Sequence, residues 1–364
     1  MKQKNTATRG FGLKEYLILS AATLAVFLLC VCVGSVNLPL ADTLDALYCS
    51  ITGNAPEEVS LAYRIIQPVR LPRVLCVALS GAALSLCGAS MQGLLKNPLA
   101  DGSTLGVSAG ASLGAISSIA FGFSVPGMTM AAVTLPFGLT LPSLPFSGTM
   151  VWAITAAFIS LLIILTFAYR LDSSLSTNTI ILIGIVYSML VSALSNLVIT
   201  FAGEKVKTIA FWNMGSLQGT SYPNAAAVAL SLLFAGGILL LSAEELNAFS
   251  IGEDNARSIG VNVRRVRLRV LICASVLIGV CVSIGGNISF VGLVTPHLLR
   301  PLTGPNHKRL LPASLFGGAI FLLFADLAAR TVLTPREIPI GVVTSIVGSI
   351  LFVVIFYRNR TRKA

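Results

Sequence analysis

Residues 224–286 read NAAAVALSLLFAGGILLLS-AEELNAFSIGEDNARSIGVNVRRV-RLRVLICASVLIGVCVSIGG, which is an apolar run, a polar stretch and a second apolar run. The apolar runs, 224–242 and 267–286, are each about 20 residues long, enough for a helix to cross a bilayer. Between Glu244 and Arg269 the chain places nine of its charged residues, out of 25 basic and 14 acidic ones in total. So polar a connector between two membrane spans must lie in water. The pattern predicts a helical protein that crosses a membrane repeatedly.

Similar apolar runs recur along the whole chain. Its residues are 55% hydrophobic and 11% charged, with a mean hydropathy of +0.87. A soluble domain carries about 25% charged residues, so the soluble class is excluded. We predict an all-α polytopic membrane protein with about ten transmembrane helices, which form a single domain over 15–357. The spans are placed at 15–36, 72–95, 104–123, 148–169, 178–201, 224–242, 267–286, 309–330 and 339–357, with a shorter one at 288–303.

Basic residues are distributed unevenly between the two sides that ten spans define. One side collects seventeen Lys and Arg residues and the other seven, with Arg300 near a span end. Cytoplasmic loops carry the excess of Lys and Arg, so the tails 1–14 and 358–364 and the loop 243–266 are expected in the cytoplasm. Topology therefore accounts for the net charge of +11, and a nucleic-acid partner is not expected. The first apolar run is longer than the core of a signal peptide and is expected to be retained.

Two further features qualify this arrangement. The segment 124–147 is apolar but contains four prolines, which argue against a spanning helix and favour an outer loop on the membrane interface. Six of the seven cysteines fall inside predicted spans, where cysteine behaves as a small apolar residue. Their spacing indicates neither a metal site nor a disulfide framework.

The polar connector also predicts a short helix. Ser250 followed by Glu253 matches a capping box, and Gly260 suits a left-handed C-terminal cap. A rigid helix on the basic side of a membrane protein could be a docking surface for a soluble partner. An ordinary solvated connector is the alternative, and the residues alone leave both open.

Small residues recur at helical spacing in the third predicted span. Gly106, Gly110 and Gly114 are four residues apart, a spacing that lets helix backbones approach closely in lipid. Helix packing explains these glycines, and a packed translocation core is the functional alternative.

The chain lacks the sequence patterns of several enzyme classes. It has no Gly-x-x-x-x-Gly-Lys-Ser/Thr motif to bind nucleotide phosphates, and no constellation for nucleophilic catalysis or metal binding. Asp326 is the clearest ionisable residue inside a predicted span, and such residues are functional candidates by default. Arg330, one helical turn later, is an equally good structural partner for it. If this protein moves a solute uphill, the energy is expected to come from another chain.

Several short motifs occur in a fixed order between residues 60 and 357. They are RLPR at 70–73, GAALSLCGASMQ at 81–92, NPLAD at 97–101, LGVSAGA at 105–111, WNMGSL at 212–217, LNAFSIGE at 246–253, ARSIG at 256–260, GGNISFVGLVTPHLLR at 285–300, DLAAR at 326–330 and EIPIGVVT at 337–344. Together they resemble the FecCD family of ABC-transporter permeases. The chain departs from that pattern at Asp101-Gly102, at Gly348-Ser-Ile-Leu-Phe352 and in the long 124–147 segment.

The resemblance implies a ten-span permease in a bacterial plasma (inner) membrane, without catalytic residues or cofactors of its own. Its implied partners are a second permease copy or homologue, two cytoplasmic ATPase subunits that bind ATP and Mg, and an extracytoplasmic substrate-binding protein. The implied cargo is a ferric siderophore, with haem or cobalamin as alternatives. A proton-coupled secondary carrier that uses Asp326 is the alternative from another class.

The resemblance also assigns roles to particular residues. The ATPase-coupling loop comprises Ser250, Ile251, Gly252, Glu253, Ala256, Arg257, Gly260 and Val261. Docking of the binding protein falls to Arg70, Arg73, Arg330 and Glu337, although the first two could instead anchor a span at the interface and Arg330 could pair with Asp326 or Glu337. The inner gate falls to Ser176, Thr177 and Asn178, where a helix N-cap at Ser176 or Thr177 is the alternative.

Overall fold

The computed structural model describes residues 11–36, 38–52, 60–102, 105–123, 129–130, 133–134, 140–141, 144–145, 148–172 and 176–361. Parts of the two predicted tails, 1–10 and 362–364, lie outside the described residues. Helices make up nearly all of the described chain: α1 (Leu13–Cys32), α2 (Leu40–Thr52), α3 (Leu61–Ile65), α4 (Leu71–Leu94), α5 (Val107–Phe121), α6 (Gly148–Leu171), α7 (Thr177–Thr200), α8 (Val206–Asn213), α9 (Tyr222–Ser231), α10 (Gly237–Leu241), α11 (Ala243–Ile251), α12 (Glu253–Ser258), α13 (Val263–Gly285), α14 (Val291–Thr303), α15 (His307–Thr331) and α16 (Ile340–Thr361).

The predicted spans all appear as helices. Within the described residues, seven continuous helices are long and apolar enough to cross a membrane. Two of them contain a π-helical turn: Ile66–Arg70 joins α3 to α4, and Leu232–Gly236 joins α9 to α10. The first turn contains Pro68, which has no N–H to donate, and a π turn is a common way to accommodate such a break. The helices α5, α14 and α16 complete the predicted ten.

The proline-containing segment 124–147 is described only in part. β1 (Thr129–Met130) pairs antiparallel with β4 (Leu144–Pro145), and β2 (Val133–Thr134) pairs antiparallel with β3 (Thr140–Leu141). The described residues of this segment form no helix, as the prolines predict. Its location on the membrane interface stays a prediction, and the rest of the segment lies outside the described residues.

Helix α4 lies at the centre of the packing, against α13, α14 and α15. Glycines permit the closest of these contacts. A Cβ atom on Gly88 would lie 1.9 Å from the carbonyl oxygen of Gly292 on α14, and one on Gly81 would lie 2.3 Å from that of Gly318 on α15. Any side chain at either position would therefore push a neighbouring helix backbone away.

The glycines of α5 pack against α6. A Cβ on Gly110 would lie 1.7 Å from Ser160 Oγ, and one on Gly114 would lie 2.3 Å from the Trp152 carbonyl oxygen. Gly106 differs from the sequence expectation because it precedes the helix as its N-terminal cap, with φ at +74°. Its role is to turn the chain into α5 rather than to extend a three-glycine helical stripe.

Helix α14 is unusually short for a membrane span. It has 13 residues, or about 20 Å of helix, against a hydrocarbon core of about 30 Å. Non-helical residues 286–290 precede it. The start of this irregular segment packs against the chain: Ser216 N donates to Gly285 O at 2.8 Å, and a Cβ on Gly286 would lie 2.2 Å from the Trp212 carbonyl oxygen.

Candidate functional site

The polar connector between α10 and α13 forms two short helices that meet at Gly252. Its φ of +133° falls in a region that favours glycine, and Gly252 is the N-cap of α12. The capping box predicted for Ser250 and Glu253 is wrong because α11 continues to Ile251. Ser250 lies inside α11, where its Oγ donates to Leu246 O at 3.2 Å.

The far end of α12 has the left-handed cap that the sequence predicts. Gly260 has φ at +90°, and its N–H donates to Arg257 O at 3.0 Å. Val261 N donates to Ala256 O at 2.9 Å. These two hydrogen bonds constitute a Schellman motif, which satisfies carbonyls that the end of a helix otherwise leaves unpaired.

A buried ion pair fixes α12 against the membrane-spanning part of the chain. Glu253 Oε1 lies 2.5 Å from Arg267 Nη2 on α13, and the Arg267 side chain is fully buried. Ala256 is also fully buried, whereas Ile251 and Ile259 are 71% and 69% exposed. The connector therefore presents two exposed apolar side chains beside a fixed helix. Such a surface is suited to contact with a soluble protein.

The predicted gate residues begin α7. Ser176 is the N-cap, and its Oγ accepts from Thr179 N at 3.5 Å. Asp172, at the end of α6, accepts from Ser176 N at 3.0 Å through Oδ2. Thr177 and Asn178 are the first two residues of the helix. The geometry thus selects the N-cap alternative for Ser176, and a gating role stays a prediction.

The connector and the end of α6 both contact the beginning of α13. Arg264 places its guanidinium 4.8 Å from the centre of the Tyr169 ring on α6. Arg267, in the same part of α13, pairs with Glu253 of α12. The first turns of α13 therefore contact both α12 and the end of α6.

On the opposite side of the molecule, two of the predicted docking arginines cap α1. Arg70 donates through Nη1 to Val31 O at 3.2 Å and Cys32 O at 2.9 Å, and through Nη2 to Val36 O. Arg330 donates to Cys30 O at 3.0 Å and Val33 O at 3.2 Å. The last carbonyls of a helix lack partners within it, and the negative end of the helix dipole attracts cations.

Asp326 and Glu337 complete this outer arginine cluster, defined as Arg70, Arg73, Arg330, Asp326 and Glu337. Arg73 contacts Asp326 Oδ1 through Nη2 at 2.9 Å and Glu337 Oε2 through Nη1 at 2.8 Å. Arg330 Nε lies 2.9 Å from Asp326 Oδ2. The two side chains form an ion pair, but the Nε–H does not point at this oxygen and forms no hydrogen bond with it. Asp326 itself is fully buried.

The geometry of the cluster is relevant to two roles that the sequence left open: docking of a binding protein by the arginines and proton coupling by Asp326. Its three arginines are only 3–7% exposed, so their charges are directed at acceptors within the chain. This geometry gives them a structural role, and docking of a binding protein stays a prediction. Asp326 is held between the guanidinium groups of Arg73 and Arg330, and its use in proton-coupled transport stays a prediction.

A polar cavity of about 300 Å³ lies beside α7. It is lined mainly by hydroxyl and amide side chains and by no charged residue in the described part of the chain. The polar lining comprises Ser108, Ser112, Ser188, Ser192, Ser195, Asn196, Asn213 and Asn287. Such a wall can form hydrogen bonds with a polar solute without holding it by charge.

Nearly the whole chain matches a known family of transport proteins. Residues 22–358 match the FecCD transport family. The chain belongs to that family. It is therefore a membrane-spanning permease subunit of the ABC-transporter type, and ATP hydrolysis is carried out by separate partner subunits.

Individual relatives match most of the chain. The uncharacterized ABC transporter permease protein YvrB of Bacillus subtilis is 38% identical over 90% of this chain and 88% of its own length. The hemin transport system permease protein HmuU of Yersinia pestis is 36% identical over 94% and 96%. A solved structure of an inward-facing metal-chelate type ABC transporter is 30% identical, with a TM-score of 0.79 and coverage of 95% of this chain and 99% of that one.

Sequence reasoning missed several residues of this FecCD permease. Arg267 pairs with Glu253 of the connector across 14 residues, and Asp172 accepts from Ser176 N at the start of α7, but neither contact belongs to a recognised short motif. The serines of the cavity did carry a signal. Ser188, Ser192 and Ser195 recur at helical spacing along α7, as do Ser108 and Ser112 at the beginning of α5.

Proposed function

We propose that this chain is the transmembrane permease of an ABC importer that carries a ferric siderophore into a bacterial cell. It would pair with a second permease copy or homologue and bind two cytoplasmic ATPase subunits, which hold ATP and Mg. An extracytoplasmic binding protein would deliver the cargo. The chain would lie in the plasma (inner) membrane with both termini in the cytoplasm.

The polar cavity beside α7 is the observation that carries this proposal. Its serine and asparagine lining suits a bulky polar solute that must pass without being retained. Ser192 and Asn196 are exposed on α7, so the cavity opens on the face of that helix. A second copy placed against this face would close two such walls into one path, as two-fold symmetry permits.

The connector supports the assignment of an ATP-driven partner. In the proposed role, Ile251, Arg257 and Ile259 contact the ATPase, while Glu253 and Ala256 fix α12 to the permease. The α6–α7 corner would then receive the movement through the first turns of α13, where Arg267 pairs with Glu253 and Arg264 lies over the Tyr169 ring of α6.

The cargo is inferred from the chemistry that related permeases are named for. Those names include hemin for HmuU of Yersinia pestis and molybdate for MolB of Haemophilus influenzae, which is 32% identical over 96% of this chain. The solved relative is of metal-chelate type. A ferric siderophore is a bulky, polar metal chelate. Haem is the second candidate, favoured by the near-complete coverage of HmuU, and cobalamin is the third.

Uptake assays test the cargo directly. Cells that lack this chain and the same cells complemented with it would be given radiolabelled ferric siderophores, haem and cobalamin. Selective loss of one ferric siderophore, restored by complementation and abolished by vanadate, is the expected result. Loss of haem uptake alone would replace the siderophore with haem. Sensitivity to an uncoupler with no effect of vanadate would instead indicate a secondary carrier.

Charge reversal tests the coupling element. Glu253→Arg removes the attachment of α12, and Arg257→Glu changes its exposed face, so both are expected to reduce co-purification of the ATPase and uptake at least about tenfold. Arg336→Glu, an exposed reversal on the opposite side, is the matched control and should leave co-purification intact. Unchanged co-purification and uptake in both connector variants would refute the coupling assignment.

A further inference from the structure

A second cavity lies on the predicted cytoplasmic side, where α4 ends and α15 begins. Its volume is about 320 Å³, and its wall includes Gln92, Gly93, Lys96, Ser250, Arg300 and His307. No carboxylate lines it within the described residues. We name it the inner basic cavity.

Arg300 is the half-buried cation of the inner basic cavity. Its Nη2 donates to Gln92 Oε1 at 2.8 Å, and Gln92 is itself held by a bond from Nε2 to Gly292 O at 3.2 Å. In the described part of the chain, no Asp or Glu forms an ion pair with Arg300. Removing a guanidinium from water is costly unless an anion compensates its positive charge. Within the described residues, no carboxylate does so for Arg300.

Lys96 provides a second cation at the mouth of the cavity. It is exposed, and none of the ion pairs formed among the described residues includes it. Its φ is +46°, a left-handed conformation in which helices commonly end, and it turns the chain out of α4.

His307 is fixed in the wall of the cavity between these cations. Asn247 Oδ1 accepts a hydrogen bond from His307 N at 2.8 Å. Because an amide oxygen can only accept, the His307 Nδ1 at 2.9 Å from the same atom carries the hydrogen and donates it. A Cβ on Gly93 would lie 2.4 Å from His307 Nε2, so only glycine at 93 leaves room for the imidazole. The wall is therefore a built structure rather than a chance group of surface side chains.

We propose that the inner basic cavity binds the phosphate group of an anionic phospholipid from the inner leaflet. Arg300 would supply charge-assisted hydrogen bonds to the phosphate oxygens, and Lys96 would supply a second charge at the mouth. Basic pockets between membrane helices on the cytoplasmic side are suited to such headgroups. This proposal does not depend on the identity of the transported cargo.

A neighbouring apolar cavity favours a lipid over a free phosphate. It has a volume of about 250 Å³ and lies between the beginning of α1 and the end of α14. Apolar side chains that include Ile18, Leu19, Leu299 and Leu302 line it, together with one carboxylate, Glu15. Leu299 and Leu302 belong to the same helix as Arg300, so α14 contributes to both cavities.

Lipid retention by the purified full-length protein tests the proposal. The protein would be delipidated in detergent, and cardiolipin, phosphatidylglycerol, phosphatidylcholine and inorganic phosphate would be titrated separately, with binding followed by native mass spectrometry. We expect the two anionic lipids to bind in preference to phosphatidylcholine. Arg300→Gln should weaken their binding about tenfold, and Lys96→Gln by a smaller factor, as expected for the loss of charged hydrogen bonds.

The control is Arg265→Gln, which removes one exposed positive charge on the same side but outside the cavity. It should change binding less than twofold. Because Lys96 is exposed, Lys96→Gln tests the site even if Arg300→Gln fails to fold. Equal binding losses in all three variants would overturn the proposal in favour of general attraction to a basic surface. Tight binding of inorganic phosphate that displaces the lipid would overturn the lipid assignment.

Discussion

The outer arginine cluster and the inner basic cavity place cations at opposite sides of the molecule, and the two differ in what compensates them. In the outer cluster, every guanidinium meets carboxylates or the carbonyls of α1. In the inner cavity, Arg300 meets one neutral amide oxygen. A buried charge that the chain itself compensates holds helices together. A half-buried charge that no group in the described chain compensates indicates an anionic ligand from outside the chain.

Removing Arg73 should have the largest effect on stability. Arg73→Met leaves Glu337 without this partner and Asp326 with Arg330 alone, so we expect a loss of about 3–5 kcal/mol in the free energy of unfolding. Unfolding of the purified chain in mixed SDS micelles, followed by circular dichroism, measures it. The double variant Arg73→Met with Asp326→Leu should recover part of the loss, because the two positions are coupled. A loss below about 1 kcal/mol in the single variant would show that the cluster is not structural.

Removing the cap of α1 should have an intermediate effect. Arg70→Met leaves the Val31, Cys32 and Val36 carbonyls without their guanidinium donor, and we expect a loss of about 1.5–3 kcal/mol. Hydrogen exchange should accelerate at the end of α1 and in the following turn. Exchange that is unchanged there, with the same global loss, would place the role of Arg70 elsewhere.

Arg300→Gln should cost little stability in the delipidated protein. The substitution removes one hydrogen bond to a neutral group and relieves the desolvation of a cation, so the net change should stay within about 1 kcal/mol. The same SDS titration measures it beside Arg73→Met. If both variants were equally destabilised, the distinction between the two regions would fail.

Breaking an exposed ion pair should have the smallest effect on stability and serves as the baseline for the other variants. Glu244 and Lys308 form an ion pair at the surface, and the hydrogen bond from Lys308 lowers the pKa of Glu244. A lowered folded-state pKa means that any stabilisation is present above the unfolded pKa and is lost as pH falls through the folded pKa. Lys308→Gln should leave stability unchanged at neutral pH. A measurable loss at pH 7 that disappears as pH falls through the pKa of Glu244 would show that this exposed pair does stabilise the fold.

The helices were predictable from the sequence because membrane spans depend on a local property, the length of an apolar run. The cap at Gly260 was equally local. Ser250 was assigned wrongly as an N-cap because a capping box does not reveal whether the preceding helix has ended, and α11 continues through it to Ile251.

The contacts of the charged residues were less predictable. The pairing of Asp326 with Arg330 was foreseen because the two are one helical turn apart. The pairing of Arg73 with Asp326 joins residues 253 positions apart, and the capping of α1 by Arg330 joins residues about 300 apart. Motifs placed these arginines on an outer surface, whereas tertiary packing buries them.

The short helix α14 has a consequence for how the protein is made. Hydrocarbon does not tolerate irregular backbone that is exposed to lipid, so the corner at 286–290 depends on the contact of Gly285 with Ser216 and on the close approach of Gly286 to Trp212. Both partners are synthesised earlier than α14. We therefore expect the translocon to release α14 against earlier segments, including α4 and residues 212–216, before α15 completes its surroundings, which makes the order of synthesis part of the folding route.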